Sequence, residues 1–559
     1  MWLMMTCLIT TGILGGGYFV SVSALTGIFL TGILFYRLYW KRKITMAWDL
    51  NLAAFAVLVF AYLIVSLWAV DSGMALTGFV KFLPLILFYV LVSGQQDERE
   101  KMISMLPLLG SLMTLFSFLM MQFPVFEEWV SVAGRLAGFF QYPNTYALFM
   151  LVCLIIVFWR INYRHPDWLD LVYALAAVFG IVMSGSRTVL VLTAAALIWL
   201  LIIRAPGRKA VLSVIAAGAA IVIVLAIVAG STGVLERFAD ISLNASTFLG
   251  RILYARDALP LILQHPFGLG YYGYYYIQQS IQTGVYSVVN VHNELLQMFL
   301  DVGVIPAVLM SAAVLRSVFT KRTDARNRLV LVMLILHSLF DYDFQFLVMG
   351  FVIILFLDIR GVKTYKVPAL TGTVLGIAGV GSMAFAVFAG LSDLLYTSGS
   401  YARAFAVYSG NTQAETVLLT QAETTEQMKE IADDLISRNE YISVAYSARA
   451  RTAFSEGNVR GFIEDKQRAI ELAPYQYDEY IDYLEILAYC ENLYLENGNM
   501  EDAKICAKKA AEIPDMLDEL REKTSFLAWR INDRPQVTLS RGNLELIEEM
   551  EALADGETD

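Results

Sequence analysis

The sequence is poor in charged residues and in cysteine. Only 16% of its 559 residues are charged, whereas soluble domains carry about 25%. This shortage excludes an ordinary soluble enzyme, a disordered chain and a nucleic-acid-binding protein, and it favours a protein of the lipid bilayer. Four cysteines are too few for a disulfide-stapled fold. The apolar N-terminal stretch has no convincing cleavage site, so we expect no cleavable signal peptide.

Several motifs for nucleotide, metal and nucleophilic chemistry are also missing. The sequence has no Gly-rich nucleotide loop, no Cys/His metal cluster and no serine-centred elbow. We therefore expect no cofactor. The missing nucleotide site is consistent with chemistry at the outer face of a membrane, where nucleotides are scarce.

Apolar residues are abundant and make up 57% of the sequence. Charge divides the chain near residue 391. Residues 1–390 have a net charge of +7, whereas residues 391–559 have a net charge of −17. This division predicts a hydrophobic membrane domain over 1–390. It is followed by an acidic, water-soluble domain over 391–559 that is long enough to bury its own core.

Thirteen apolar segments approach the length of about 20 residues that a membrane-spanning helix needs. They cover roughly 3–18, 20–39, 50–69, 74–93, 102–123, 143–159, 168–184, 188–203, 210–230, 293–315, 329–341, 346–359 and 368–390. The expected fold class is all-α. It consists of a polytopic transmembrane bundle of about 12–13 spans and a helical-repeat domain outside the membrane.

Positive charges predict the orientation of these spans, because cytoplasmic loops retain Lys and Arg. With the N-terminus in the cytoplasm, 19 of the 25 Lys and Arg residues in 1–390 fall on the inner side. The thirteenth span then delivers residues 391–559 to the outer side. We therefore predict a multi-pass plasma-membrane protein with a cytoplasmic N-terminus and an extracytoplasmic C-terminal domain.

Three of the outer arginines lie next to small residues at the ends of predicted spans. Arg135 follows Gly134, Arg187 follows Ser186, and Arg251 follows Gly250. A guanidinium presents a fork of donors that matches phosphate oxygens, so several arginines at one outer cavity would hold a diphosphate. Alternatively, each side chain simply reaches the lipid headgroups.

His292 opens a predicted helix at the outer face, followed by Asn293 and Glu294. A histidine is the usual general base near neutral pH. The carboxylate of Glu294 would either interact favourably with the positive end of the helix dipole or orient the imidazole of His292. The alternative for His292 is a helix cap or an interfacial residue. Of the other histidines, His265 precedes a proline and fits a turn, whereas His337 lies within a span and fits a packed polar residue.

The predicted outer loop over about 231–292 is too long for a simple turn, and loops of this length tend to be functional or disordered. Its five tyrosines between 271 and 276 fit either the water–lipid interface or stacking on sugar rings. Asp341 and Asp343 form an Asp-x-Asp motif at an outer helix end. Such motifs often hold a divalent metal in nucleotide-sugar enzymes, but this one stands alone, so the signal for a metal is weak.

The C-terminal domain shows a repeating pattern of small residues around 440–515. The pattern comprises Gly457-Asn458, Ala469 and Pro474, and then Gly498-Asn499, Ala503, Ala507, Ala510 and Pro514. It resembles the tetratricopeptide repeat, with small residues where helices approach and Gly and Pro at helix ends, although its period of 41 exceeds the usual length of about 34. Stacked helix pairs form concave binding surfaces, so a protein partner is expected there. An unrelated helical hairpin is the alternative.

The ordered set of motifs in the membrane domain resembles the bacterial O-antigen ligase/polymerase family. These motifs are Arg135 with Pro143-Asn144, Ser186-Arg187, Gly250-Arg251, His265-Pro266-Phe267-Gly268-Leu269-Gly270 and His292-Asn293-Glu294. The resemblance covers roughly 1–390 and is strongest over 134–303.

This resemblance implies a metal-independent, inverting membrane glycosyltransferase of the cell envelope. Its donor would be a glycan on undecaprenyl diphosphate, and its acceptor a glycan, a lipid or a protein at the outer face. Arg187 and Arg251 would bind the diphosphate with Arg135 as a third candidate, and His292 would deprotonate the acceptor hydroxyl. The resemblance leaves open whether the protein polymerises a surface polysaccharide or ligates a glycan to a carrier.

Two other classes of function are alternatives to a glycosyltransferase. A transporter or flippase for lipid-linked oligosaccharides usually shows repeated halves and charges deep in the bundle, and the sequence shows no internal repeat in 1–390. A membrane scaffold that recruits partners through its repeat domain would not need Arg187, Arg251 and His292 together.

Overall fold

The computed structural model describes residues 2–160, 167–203 and 245–555, together with Leu212 and Ala216. The predicted span 210–230 and the first part of the predicted outer loop, 231–244, lie outside the described residues, apart from Leu212 and Ala216. The described chain is predominantly helical, which confirms the all-α fold class.

Sixteen helices form the described part of the membrane domain. They are α1 (Trp2–Ile13), α2 (Val20–Phe35), α3 (Leu50–Val65), α4 (Ser72–Val92), α5 (Gln96–Met120), α6 (Pro124–Val130), α7 (Pro143–Arg160), α8 (Trp168–Ser184), α9 (Arg187–Ile203), α10 (Ser246–Gln264), α11 (Gly273–Ile281), α12 (Glu294–Val302), α13 (Val304–Phe319), α14 (Ala325–Ser338), α15 (Leu347–Phe356) and α16 (Ala369–Thr397). The last of these continues past residue 390, where the sequence placed the end of the membrane domain.

Five helical segments in the described part of the chain are long and apolar enough to cross a bilayer. They are Val20–Trp40, Ser72–Val92, Gln96–Met120, Pro143–Arg160 and Ala369–Thr397. Six shorter apolar helices accompany them. These segments support a polytopic membrane protein, and the count of thirteen spans stays a prediction.

The core of the bundle surrounds α7 and α15. All ten residues of α15 are buried, and α7 is buried continuously from Thr145 to Phe158. A helix that is apolar on every side is expected at the centre of a bundle, because every face must meet other helices.

The predicted span 293–315 is not one helix. It divides into α12 and α13 at Gly303, whose φ is +84°. A Cβ at this position would lie 2.6 Å from the carbonyl oxygen of Pro266, and the Val304 amide donates to that same oxygen at 2.9 Å. The 266–270 segment therefore packs against the break. The sequence has a signal for it, because Asp301, Gly303 and Pro306 interrupt the apolar pattern there.

The described part of the predicted outer loop is also ordered into helices. From residue 245 onward it contains α10 and α11, joined by the turn at His265. The other predicted outer loop, over 124–142, contains α6 and a two-residue β-hairpin, β2 (Ser131–Val132) with β3 (Arg135–Leu136).

A second small sheet joins distant parts of the membrane domain. Strand β1 (Lys43–Ala47) pairs antiparallel with β4 (Val362–Lys366), with Lys43 opposite Lys366. The two segments were predicted to lie on the same side of the membrane, and their pairing agrees with that placement. Which side of the membrane they occupy stays a prediction.

The C-terminal domain consists of eight described helices. They are α17 (Tyr401–Val407), α18 (Thr412–Thr420), α19 (Thr425–Arg438), α20 (Ser443–Ser455), α21 (Val459–Leu472), α22 (Tyr477–Glu496), α23 (Met500–Lys523) and α24 (Arg541–Asp555). Gly457 and Gly498 have φ values of +75° and +72°, and each is followed by an asparagine that caps the next helix.

Glycine at these two helix ends agrees with the sequence pattern, because only glycine adopts such φ values freely. Pro514 differs from the prediction, since it lies inside α23 rather than at a helix end. Cys490 and Cys506 are buried free thiols. The assignment of these helices to the tetratricopeptide class stays a prediction.

The C-terminal domain packs on the membrane domain where α4 begins. The backbones of Gly73 and Gly410 approach so closely that a Cβ on Gly73 would lie 2.5 Å from the Gly410 carbonyl oxygen. The Tyr408 hydroxyl donates to the Gly73 carbonyl at 2.7 Å. An apolar cluster that includes Met74, Tyr276 and Leu435 continues this contact.

Candidate active site

Asp341, which lies just after α14, is the centre of a polar cluster. Its side chain is 2% exposed, and donors from several separate elements point at its two oxygens. They are Tyr142 Oη at 2.7 Å, Asn144 Nδ2 at 2.8 Å, Arg251 NH2 at 3.1 Å, His292 Nδ1 at 3.3 Å and the Tyr342 amide at 3.1 Å. A buried carboxylate needs such compensation, because removing its charge from water is costly.

Arg251 lies in the second turn of α10 and forms an ion pair with Asp341. Its side chain is 19% exposed, so the guanidinium lies at the edge of the polar cluster and is partly open to solvent. A half-buried guanidinium in such a place is suited to binding an anion, because its hydrogen bonds are strengthened where water is partly excluded.

Arg135 is connected to the same cluster through Asn144. The turn between β2 and β3 places Ala133 and Gly134 at positive φ, and Arg135 then donates from Nε to the Ser184 carbonyl at 2.7 Å and from NH2 to Asn144 Oδ1 at 2.8 Å. Asn144 in turn donates to Asp341.

Arg187 is the first residue of α9 and is half-buried. It follows the tight turn at Gly185, whose φ is +59°, and that turn begins beside the Ser184 carbonyl that Arg135 contacts. The residue that Arg135 contacts, Ser184, therefore lies three residues before Arg187 in the chain. The part of Arg187 in anion binding stays a prediction.

His292 is held by both its backbone and its neighbours. Its φ of +55° is left-handed, a conformation that non-glycine residues seldom adopt outside constrained sites. The next residue, Asn293, caps α12 by accepting from the Leu296 amide at 3.0 Å and also donates to the Leu339 carbonyl at 2.9 Å. When Nδ1 donates its proton to Asp341, Nε2 has the free lone pair of a base.

Of the two interpretations of Glu294, the structure agrees with a carboxylate in the first turn of α12 and not with one that contacts the imidazole. The carboxylate at His292 is Asp341, whereas Glu294 accepts from the Phe344 amide at 3.1 Å and the Gln345 side chain at 3.4 Å. Glu294 is the first residue of α12, so its side chain lies beside the following turn rather than beside His292. It supports the segment after Asp343 instead.

The two acids of the Asp-x-Asp motif are held by separate partners. Asp341 meets Arg251 and His292, whereas Asp343 accepts from Thr145 Oγ1 at 2.7 Å and lies 2.6 Å from Nδ1 of His337. Within the described part of the chain, no group of three or more His, Cys, Asp and Glu side chains is placed to hold a metal ion. His337 is a packed polar residue, as its position in a span indicated.

Three of the five tyrosines at 271–276 differ from both sequence interpretations. Tyr271, Tyr274 and Tyr276 are buried within the protein, because α4, the 286–291 segment and the C-terminal domain cover them. Tyr272 and Tyr275 are half-buried, and for these two the contact with lipid or sugar stays a prediction. His265 lies in a turn, with the Gly268 amide donating to its carbonyl at 3.0 Å, as its position before proline predicted.

An apolar cavity of about 280 Å³ lies among α3, α4, α12, α13, α14 and α15. Its walls include Phe55, Phe82, Met298 and Val314, and Glu294 and Phe344 also line it. Glu294 follows His292 by two residues and Phe344 follows Asp341 by three, so the cavity approaches the polar cluster along the chain. An apolar lining of this kind is suited to a hydrocarbon chain.

One segment of the membrane domain matches a known protein family. Residues 172–311 match the family model of O-Antigen ligase. The matched segment contains Arg187, Arg251 and His292, and it supports the O-antigen ligase family, a lipid-linked glycan substrate and a glycosyl-transferring activity in a membrane. No curated protein and no solved structure matches the chain.

The O-Antigen ligase match covers part of the cluster. Asp341, Tyr142 and Asn144 lie outside residues 172–311. In space, Tyr142 and Asn144 each donate a hydrogen bond to Asp341. Sequence reasoning missed the role of Asp341 and of Tyr142. The sequence offers one signal for these roles. Asp341 is at the predicted outer end of a span, and the motif that contains Tyr142 and Asn144 is predicted on the same side.

Proposed function

We propose that the protein transfers a glycan from undecaprenyl diphosphate to an acceptor hydroxyl at the outer face of the plasma membrane. The observation that supports this most directly is the convergence of Arg251, His292 and, through Asn144, Arg135 on the buried carboxylate of Asp341. Cations for a leaving diphosphate and a base for an attacking hydroxyl thus lie in one cluster.

The reaction needs one displacement at the anomeric carbon of the donor sugar. The acceptor oxygen forms a bond to that carbon, while the bond from the carbon to the diphosphate oxygen breaks and its electron pair leaves with the diphosphate. The acceptor proton passes to Nε2 of His292. A single displacement inverts the configuration of the sugar carbon.

Each group in the cluster has a distinct part in this step. Arg251, Arg187 and Arg135 stabilise the charge that develops on the diphosphate, so the rate rises without a metal ion. Asp341 holds the imidazole and stabilises the imidazolium that forms, as the acid of a catalytic triad does. The apolar cavity beside Glu294 takes part of the polyprenyl chain.

The test is transfer by the purified full-length chain from synthetic glycan–undecaprenyl diphosphate in the presence of a chelator. We expect a lengthened acceptor glycan, or a glycosylated lipid or protein, together with free undecaprenyl diphosphate. Movement of the intact donor across vesicles without cleavage would instead indicate the transporter alternative. Activity that disappears with chelator and returns with a divalent cation would overturn the metal-independent mechanism.

The proposed orientation has its own experiment. All four native cysteines are buried, so a single new cysteine is the reactive thiol. Glu496→Cys, in the exposed end of α22, is expected to react with a membrane-impermeant thiol reagent in intact cells, whereas Lys321→Cys is expected to react only after lysis. The opposite pattern would move the site to the cytoplasmic face.

A further inference from the structure

A short segment of the C-terminal domain is attached to α10, the helix that contains Arg251. This segment, residues 524–531, is called the strap below. The Ser525 amide donates to the Thr283 carbonyl at 2.8 Å, and Arg256, on α10, donates to Ser525 Oγ at 2.7 Å. Just beyond the strap, the Asn532 amide donates to Ser246 Oγ at the start of α10, at 3.1 Å.

Apolar packing continues the polar contact between the strap and α10. The buried cluster contains two residues of the helix, one of the 283–286 segment and three of the strap. These are Leu249, Leu253, Tyr286, Leu527, Ala528 and Ile531. Because the cluster is buried in the folded chain, separating the strap from the helix would expose several apolar side chains to water.

The 283–286 segment is fixed to the same helix by Asp257. This carboxylate accepts from the Thr283 amide and hydroxyl, each at 2.8 Å, and from the Tyr286 hydroxyl at 2.9 Å. Burial raises the pKa of Asp257, while these hydrogen bonds oppose the rise. The helix, the 283–286 segment and the strap therefore form one connected unit.

Arg251 and its neighbours depend on the position of this unit. Arg251 lies between Leu249 and Leu253, the two helix residues that the strap covers. Tyr254, one turn along, contacts the Tyr286 ring with 4.5 Å between centroids and the His292 ring with 6.0 Å. A shift of α10 would therefore move Arg251 away from Asp341 and Tyr254 away from His292.

We propose that the strap is a positioning element of the active site, which holds α10 so that Arg251 meets Asp341. The catalytic consequence rests on the proposed function. The C-terminal domain thus contributes to donor binding from a distance, without supplying a group that touches the substrate.

Gly284 provides a minimal way to displace the strap. A Cβ at this position would lie 2.5 Å from Cβ of Ala528 and 3.1 Å from Cδ2 of Leu253. Gly284→Ala therefore pushes the strap away from α10 by one methyl group, and Ala528→Gly in the same chain removes the clash. Gly542→Ala is the matched control, because a Cβ there meets nothing within 4 Å.

Two measurements on the full-length chain in detergent micelles test the proposal. The first is hydrogen exchange of the α10 amides, and the second is the affinity for undecaprenyl diphosphate as a probe. We expect Gly284→Ala to speed exchange in α10 and to weaken the affinity about tenfold, the size of effect that loss of one hydrogen bond to a charged group produces. The double variant should restore both, and Gly542→Ala should change neither.

Each departure from this pattern has a definite meaning. Unchanged exchange in α10 would show that the strap does not hold the helix, and faster exchange with unchanged affinity would show that it holds the helix without positioning Arg251. Failure of Ala528→Gly to restore either value would also overturn the proposal. Failure of the proposed function is distinguishable, because the unaltered chain would then bind the probe without transferring glycan, while the exchange and affinity results would stand.

Discussion

The molecule contains two histidine–aspartate pairs that differ in their surroundings. In one, His292 lies 3.3 Å from Asp341, and the histidine side chain is 20% exposed. In the other, His337 lies 2.6 Å from Asp343, and the two side chains are 1% and 0% exposed. The acids are only two residues apart in sequence, yet they point to different groups of partners.

The comparison separates a partly solvent-accessible pair from a fully buried one. Asp341 also meets a half-buried cation, Arg251, whereas Asp343 meets Thr145 inside the bundle. Under the proposed function, the more exposed pair takes part in the chemistry and the buried pair stabilises the fold. Exposure and a neighbouring cation, rather than the histidine–aspartate contact itself, distinguish the two pairs.

The largest expected effect is on catalysis by the exposed pair. His292→Ala should lower the transfer rate about 10²–10⁴-fold, because the reaction loses its general base. The measurement is the initial rate of transfer by the purified chain. Affinity for undecaprenyl diphosphate should change little, since the imidazole acts on the acceptor.

His265→Ala is the matched control for this change, because His265 lies in a turn and lines a separate hollow with Trp68 and Phe267. Its rate should equal that of the unaltered chain. An unimpaired rate in His292→Ala would end the assignment of His292 as the base and would remove the main difference between the two pairs.

The next effect is on stability and belongs to the buried pair. His337→Ala should destabilise the fold by about 3–5 kcal/mol, because it leaves the Asp343 carboxylate buried without its partner. The measurement is unfolding of the detergent-solubilised chain. At low temperature, the folded fraction should retain most of its transfer rate. Loss of transfer with unchanged stability would show that His337 takes part in the chemistry.

A smaller effect should follow from changing the cation that distinguishes the two aspartates. Arg251→Lys keeps the positive charge but loses the planar fork of donors. We expect affinity for undecaprenyl diphosphate to fall about 10–100-fold, as when one or two charge-assisted hydrogen bonds are lost. Isothermal titration with the probe measures this. Arg403→Lys, at an exposed arginine of α17, is the matched control and should leave the affinity unchanged.

The smallest effects should come from removing one hydroxyl group that donates to each aspartate. Tyr142→Phe removes a donor to Asp341, and Thr145→Val removes a donor to Asp343. Each hydrogen bond is worth about 0.5–1.5 kcal/mol. Tyr142→Phe should lower mainly the transfer rate, by up to about tenfold, and Thr145→Val should lower mainly the unfolding free energy. Equal effects of both variants on rate and stability would remove the distinction between the pairs.

Much of the fold followed from the sequence because apolar length is a strong signal. Helices occur at the described predicted spans, and the glycine at 457 and at 498 ends a helix as the pattern indicated. The break at Gly303 was missed because the segment is apolar on average, although Asp301, Gly303 and Pro306 interrupt it. The break packs against Pro266 from another part of the chain.

The candidate site was predictable only in part for a similar reason. Arg251 and His292 were recognisable because they are unusual residues in outer loops of a membrane protein. Asp341 is 90 residues from Arg251 and 199 from Tyr142, so its role depends on how the helices pack. Closeness in sequence made Glu294 one candidate for orienting His292, whereas the fold brings a more distant acid to the imidazole.

The pairing of β1 with β4 has a consequence for how the chain matures. The Thr45 and Thr364 hydroxyls that meet in this sheet are separated by 319 residues. Within the described residues, β4 is the strand that pairs with β1, so this strand pairing forms only after the ribosome has synthesised nearly the whole membrane domain. An exposed strand edge is a site for mispairing with other chains. Truncations before residue 362 should therefore aggregate during biogenesis, even when every helix they retain is able to insert.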